Sequence, residues 1–155
     1  MLQAMNTGHE GSLSTVHANA PRDALNRLET MVLMAGYELP LHAIRSHVSA
    51  ALDLIVQLDR LDDGSRRVVE ISEVQRMEGD VITLQKLFEF KIERFDAERR
   101  VVGRLQPTGL RPGFLGKFER HGIEMPLSLF GGTANAIWGA DAQALADRVN
   151  GGNGR

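Results

Sequence analysis

The chain has 155 residues, 43% of them apolar and 25% charged, with a formal net charge of -2. That length and apolar content support one domain with a real core, and the near-neutral charge gives no electrostatic reason to expect nucleic acid or a membrane surface as partner. No cysteine is present, which excludes a disulfide framework and a thiolate zinc site, and no apolar run has the length of a membrane span or the pattern of a signal peptide.

Residues 1–6 read as the weak end of a helix: Leu2 and Met5 are three apart, no N-cap residue precedes them, and Gly8 can stop the element. The sequence is therefore expected to begin inside an element. Residues 7–19, TGHEGSLSTVHAN, are unusually polar, with two histidines, two glycines and four hydroxyl side chains. Leu13, Thr15 and His17 alternate with Ser14 and Val16, which predicts a glycine turn and a short strand carrying His17 to a strand end. Strand ends are where open α/β sheets place ligands.

Pro21 and Asp23 suit a first helical turn. Leu25, Leu28, Met31, Val32 and Ala35 make one apolar stripe, closed by Gly36, and Met31 and Met34 read as core and gap filling. Pro40 opens a second helix with Leu41, Ile44, Val48 and Ala51 on its buried side. Over residues 53–61 the period changes, and Leu54, Ile55 and Val56 predict a buried strand. Asp62, Asp63, Gly64 and Ser65 form a strong turn signal, and residues 66–74 return as a strand. Glu78, Gly79 and Asp80 turn again. Phe88, Phe90 and Ile92 alternate with Glu89, Lys91 and Glu93, as in an edge or hairpin strand buried on one face. Residues 96–99 turn the chain and residues 101–105 pair back. Residues 113–120 predict a short helix ended by Gly122, and residues 126–130 an apolar segment that packs back. Residues 141–149 have the pattern of one more amphipathic helix, and residues 150–155 that of a disordered tail.

The segment TGHEGSLSTVHAN, followed by PRDALNRLETM, resembles the histidine box of the secretion ATPases that drive type II secretion and type IV pili. It is most similar to the branch that powers Flp/Tad pilus assembly, and the similarity runs to about residue 130. The resemblance implies an α/β chain: a truncated RecA-like P-loop NTPase lobe over residues 1–61, β-hairpins and a small helical C-terminal part over 62–130, and a flexible tail over 131–155. It further implies ATP hydrolysis with Mg2+ in a hexameric motor. That motor would be cytoplasmic, peripheral to the inner membrane and partnered by pilus or secretion platform proteins, without membrane insertion and without nucleic acid.

The same resemblance makes His17 the catalytic candidate, lying between a γ-phosphate and a catalytic carboxylate. A neutral imidazole suits that place because it donates one hydrogen bond and accepts another. Read alone, His17 is better explained as a structural histidine at a strand end. His9 and Thr15 join it as nucleotide-binding candidates, with a turn-holding hydrogen bond and local capping as their alternatives. Arg22 reads as part of a solvated helix face, and Arg27 as a subunit-interface candidate. His9 and His17 are eight apart and His42 and His47 five apart, so neither pair has the helical ligand spacing of four, and no metal site is expected.

A P-loop requires Gly-x-x-x-x-Gly-Lys-Ser/Thr. The only Gly-Lys pair is Gly116 and Lys117, followed by Phe118 and with Arg111 where the first glycine belongs. The run from Leu54 to an acid at Asp59 imitates a Walker B strand but follows the histidine box, so Asp59 reads as a strand-edge residue. No Gly-x-Ser-x-Gly elbow is present. Two readings follow: part of a motor ATPase that is inactive in isolation, or a non-catalytic module or split-gene fragment that docks on a complete motor.

Overall fold

The turn signals at residues 62–65, 79 and 96–99 divide a strand-rich stretch into four strands. In the computed structural model, which describes residues 11–36 and 38–131, these are β1 (Leu54–Arg60), β2 (Arg66–Glu78), β3 (Val81–Phe95) and β4 (Val101–Pro107). They pair antiparallel in the order β1-β2-β3-β4, as short connections require. Two helices precede the sheet, α1 (Pro21–Met34) and α2 (Leu41–Ala51), and two short ones follow it, α3 (Leu115–Arg120) and α4 (Ser128–Gly131). The fold is thus α/β, and no parallel strand pair occurs among the described residues. The predicted boundary at residue 61 falls in the β1–β2 turn.

Each turn has a local cause. Gly64 takes φ +80° in the first and Gly79 φ +58° in the second, backbone that other residues adopt at a cost. Asp63 does more than turn the chain. Its Oδ1 accepts the Ser65 N–H at 2.9 Å and its Oδ2 accepts the Val101 N–H at 2.8 Å, which ties the β1–β2 turn to the start of β4. In the third turn Asp96 Oδ1 accepts the N–H groups of Glu98 and Arg100 at 3.0 and 2.7 Å. Where β3 bulges against β4, between Ile92 and Arg94, Gly103 leaves no room for a side chain. A Cβ there would stand 2.9 Å from the Phe90 ring.

The sheet is covered on both faces. Val74 and Ile71 are three residues apart on β2 and so face opposite ways. On the Val74 side, Leu25 of α1 and Ile44 and Val48 of α2 pack with Val74 and Ile82, joined by Ile55 and Leu84. On the Ile71 side, Leu87 and Phe88 pack with Phe130, joined by Leu105, Phe114 and Leu115. Burying each such aliphatic or aromatic side chain is worth about 1.5–3 kcal/mol. Arg45 Nε and Nη2 donate to Glu29 Oε1 and Oε2 at 2.9 and 3.2 Å, and Arg45 Nη1 donates to the Asp80 carbonyl at 2.8 Å. That fork joins α1, α2 and the β2–β3 turn. The hydrogen bonds to Glu29 raise the Arg45 pKa.

Several expectations are met: Gly36 ends α1 with φ +79° and Gly122 follows α3 with φ +69°, and the segment around Phe130 packs back. Others are corrected. Residues 13–17 form no strand, and Leu13 is fully exposed. A strand needs a ladder partner, and this segment has none among the described residues. Leu54 and Val56 are not buried but 41% and 48% exposed, because β1 is an edge strand. Of the two alternatives for β3, the hairpin strand holds and the edge does not, since β3 lies between β2 and β4; its alternation buries Phe88 but leaves Ile92 half exposed. Met31 and Met34 are 54% and 81% exposed. They lie on the far side of α1 from Ala24, Leu25, Leu28 and Val32, which reach the core. Leu41 is likewise exposed at the first position of α2, while Ile44, Val48 and Ala51 are buried as predicted. The expectations for residues 1–6 and 132–155 lie outside the described residues.

Candidate functional site

The part of the histidine box within the described residues runs as irregular chain into α1. Two local features set its course. Gln57 Nε2, on β1, donates to the Ala18 carbonyl at 3.0 Å, and Pro21 starts α1 immediately beyond, with Ala20 at the N-cap and Asp23 in the first turn. His17 is thereby placed beside α1, exposed to solvent.

His17 borders an open groove of about 480 Å³ with Asn19, Asp23, Asn26, Arg27, Thr30, Met31 and Met34. The helical spacing of Asp23, Arg27 and Thr30 puts them on one outward face of α1. Thr30 Oγ1 donates to the Asn26 carbonyl at 2.9 Å. The groove therefore offers an imidazole, a guanidinium, a carboxylate, amide and hydroxyl groups and two thioethers, all open to solvent. Such a set can hydrogen-bond an anionic or polar ligand, but it does not enclose one, and pockets that bind small molecules tightly bury most of the ligand.

The structure brings His17 and Arg27 to this common groove. Thr15 is exposed on the preceding segment and does not line it. His9 lies outside the described residues. Arg22 is exposed, as expected of a solvated helix face, and in addition its Nη1 donates to the Ile82 carbonyl at 2.7 Å. Asp59 is exposed on β1 and accepts the N–H of Arg60 at 2.7 Å, in keeping with a strand-edge role. Asn26 and Thr30 went unnoticed in the sequence. Their signal was present: they lie opposite Leu25, Leu28 and Val32 at helical spacing and continue the face begun by Asp23.

Other polar clusters serve the fold. The depression lined by Asp62, Asp63, Phe95, Glu98, Arg99 and Arg100 sits between the first and third turns. There the Ser65 hydroxyl and the backbone N–H groups of Ser65 and Val101 hold the Asp63 carboxyl down at about 2. On β3, Lys86 Nζ meets Glu70 Oε2 at 2.9 Å and Glu89 Oε1 at 3.0 Å. Its pKa is raised, first by Glu70 and then by Glu89, and that of Glu89 is lowered, first by Lys91 and then by Lys86. No three metal-ligating side chains converge among the described residues, and none of the described helices is long and apolar enough to cross a membrane.

Comparison with known proteins gives this geometry a context. Residues 1–100 match the family model described as "Type II/IV secretion system protein". Among curated proteins, a putative conjugal transfer protein of Mycobacterium tuberculosis (strain H37Rv) is 38% identical over 81 residues, covering 52% of this chain and 22% of that protein. The probable conjugal transfer protein TrbB of Sinorhizobium fredii is 40% identical over 76 residues, covering 49% and 22%. The conjugal transfer protein TrbB of Rhizobium radiobacter is 37% identical over 75 residues, covering 48% and 22%. The matched stretch thus spans about a fifth of the length of each relative. With the family match running through the histidine box, both core helices and three of the four strands, the chain belongs to the family of type II/IV secretion system proteins.

Proposed function

We propose that this chain is part of a secretion-system motor ATPase, and that His17 acts at the nucleotide of the assembled motor. The family match over residues 1–100 carries this reading, because it includes the segment in which His17 lies. In the assembled motor the imidazole would lie between the γ-phosphate of ATP and a catalytic carboxylate. His9 and Thr15 would border the nucleotide, and Arg27 would face a neighbouring subunit. ATP with Mg2+ would supply the phosphoryl chemistry, in which catalysis is mostly positioning and charge stabilisation. A RecA-like lobe, a hexamer, and a cytoplasmic place against the inner-membrane platform complete the proposal. Its cargo is either a Flp/Tad pilus or, as the names of the relatives suggest, a conjugal transfer apparatus.

The open groove limits what this chain does by itself. The sequence holds no P-loop, and His17, Arg27 and their neighbours face solvent without backbone donors gathered around a phosphate. We therefore expect no magnesium-dependent ATP turnover from the chain alone. The same observation supports the second reading, a non-catalytic module that docks on a complete motor.

Titration calorimetry with magnesium and a non-hydrolysable ATP analogue tests the first reading, using the wild-type chain and His17→Ala. Absence of heat from the wild type supports a nucleotide site completed by other parts of the motor. Binding that disappears in His17→Ala would mean that the groove recognises nucleotide unaided, and the dependence on a separate phosphate cradle would be wrong. A neighbouring reading frame that ends in a P-loop and a Walker B acid would favour the motor over the docking module.

A further inference from the structure

We propose that residues 110–121 form a flap that lifts while the sheet stays folded, and that Glu73 is its latch, set to a weak hold. The flap is flanked by two left-handed glycines, Gly109 at φ +91° and Gly122 at φ +69°. Without side chains, such positions absorb the rotation of a hinge. Beyond each of them the chain is anchored. Thr108 donates its N–H to the Leu87 carbonyl at 2.9 Å and its Oγ1 to the Lys86 carbonyl at 2.7 Å. On the other side Phe130 is 4% exposed, and its ring lies 5.8 Å from that of Phe88.

Between these anchors the packing is thin. α3 has no buried residue, and Phe114 and Leu115 are only partly buried against the second cluster. The rings of Phe114 and Phe118 lie 5.9 Å apart, a contact inside the flap that keeps it one unit as it moves. A segment with few buried apolar contacts opens before the rest of a fold.

Three polar links close the flap. The Gly113 N–H donates to Glu73 Oε1 at 2.8 Å, Gln85 Nε2 donates to the Arg111 carbonyl at 3.1 Å, and Lys117 Nζ lies 2.8 Å from Asp53 Oδ1. The ion pair is exposed on both sides and is worth little. Glu73 is different. It stands on β2 opposite Gln85, is buried, and its Oε2 has no hydrogen-bond partner among the described residues. Its neighbours are engaged elsewhere: Gln85 with Arg111 and Gln75, and Lys117 with Asp53. Burying a carboxylate with one oxygen unmet costs more than a single N–H bond restores. Lifting the flap hydrates both oxygens, so the residue that closes the flap also favours its release. The inference does not depend on the nucleotide reading.

Native-state hydrogen exchange and brief trypsin digestion of the full chain test it. The amides of Gly113, Lys117 and His121 donate to Glu73, Phe114 and Phe118. They should exchange together, and well before the Val74 amide, which donates to the Asp53 carbonyl at the start of the β1–β2 ladder. Trypsin should cut after Lys117 or Arg120 while the sheet is intact. Glu73→Gln keeps an acceptor for the Gly113 N–H and removes the buried charge, so it should slow both exchange and cleavage several-fold. Gln85→Ala removes the link to Arg111 and should speed both. Flap amides that exchange as slowly as Val74, or each at its own rate, would overturn the proposal. So would an unchanged or faster opening in Glu73→Gln, since Oε2 would then already be satisfied, as by a buried water.

Discussion

The segment before α1 and the four-stranded sheet are opposites. Residues 11–17 hold the histidine and hydroxyl groups by which the family is recognised, yet every one of them is exposed and none is in a helix or strand. The sheet carries the packing: two apolar clusters on its two faces, buried ion pairing at Glu29, and turns tied by Asp63 and Asp96. Several of its polar groups are engaged with one another, as Lys86 is with Glu70 and Glu89. The contrast teaches that the residues of the histidine segment are not organised by this chain's own core. The described local constraints are one hydrogen bond from Gln57 and the start of α1, and the segment is open to solvent.

That contrast can be broken by mutation. The largest effect is expected at Leu25, which is 1% exposed and joins α1 to the sheet. Leu25→Ala should cost about 2–5 kcal/mol, read as a lower midpoint in urea unfolding. A smaller loss would mean that α1 is a loosely attached arm. An intermediate effect is expected from acid. The folded-state pKa of Asp63 is lowered from 3.8 to about 2, so its contribution is complete above about pH 3.8 and is lost as the pH falls through about 2. The Tm difference between wild type and Asp63→Asn should follow that course. A difference that does not change with pH would show that the carboxylate is not what ties the turns. The smallest effect is expected at His17. His17→Ala should move stability by no more than about 0.5 kcal/mol, as for an exposed side chain without a packing role. A substantial loss in thermal unfolding would make His17 a structural residue and weaken the functional reading.

Much of the scaffold was legible because its causes are local. Gly64 and Gly79 announced turns that need a left-handed backbone, and Gly36 and Gly122 announced helix ends. The spacing of Leu25, Leu28 and Val32, like that of Ile44, Val48 and Ala51, named the buried faces correctly. The failures share a different cause. Leu54 and Val56 looked buried because an apolar run does not record whether its strand has neighbours on both sides and a layer on each face. Met31 and Met34 fitted the helical stripe loosely, and only the position of α2 and β2 decided which flank of α1 was covered. Residues 13–17 alternate as a strand does, but alternation cannot provide a ladder partner.

The candidate site divides in the same way. His17 stood out through a motif in consecutive residues, and Arg27 through its position on the following helix. The gathering of Asn19, Asp23, Asn26 and Thr30 around His17 became visible once the direction of α1 was known. The structural role of Arg22 depended on a contact with Ile82, sixty residues away.

By itself the sequence determined the family, the turn positions, the helix ends and the apolar faces that seek a core, because each is written in neighbouring residues or in a short period. The tertiary structure alone decided that, among the described residues, β1 lies at an edge and β3 at the centre, that α1 shows its methionines to solvent, and that the histidine segment joins no strand ladder. Those outcomes depend on which distant segments meet, and a local pattern specifies what a residue can do without specifying what it touches.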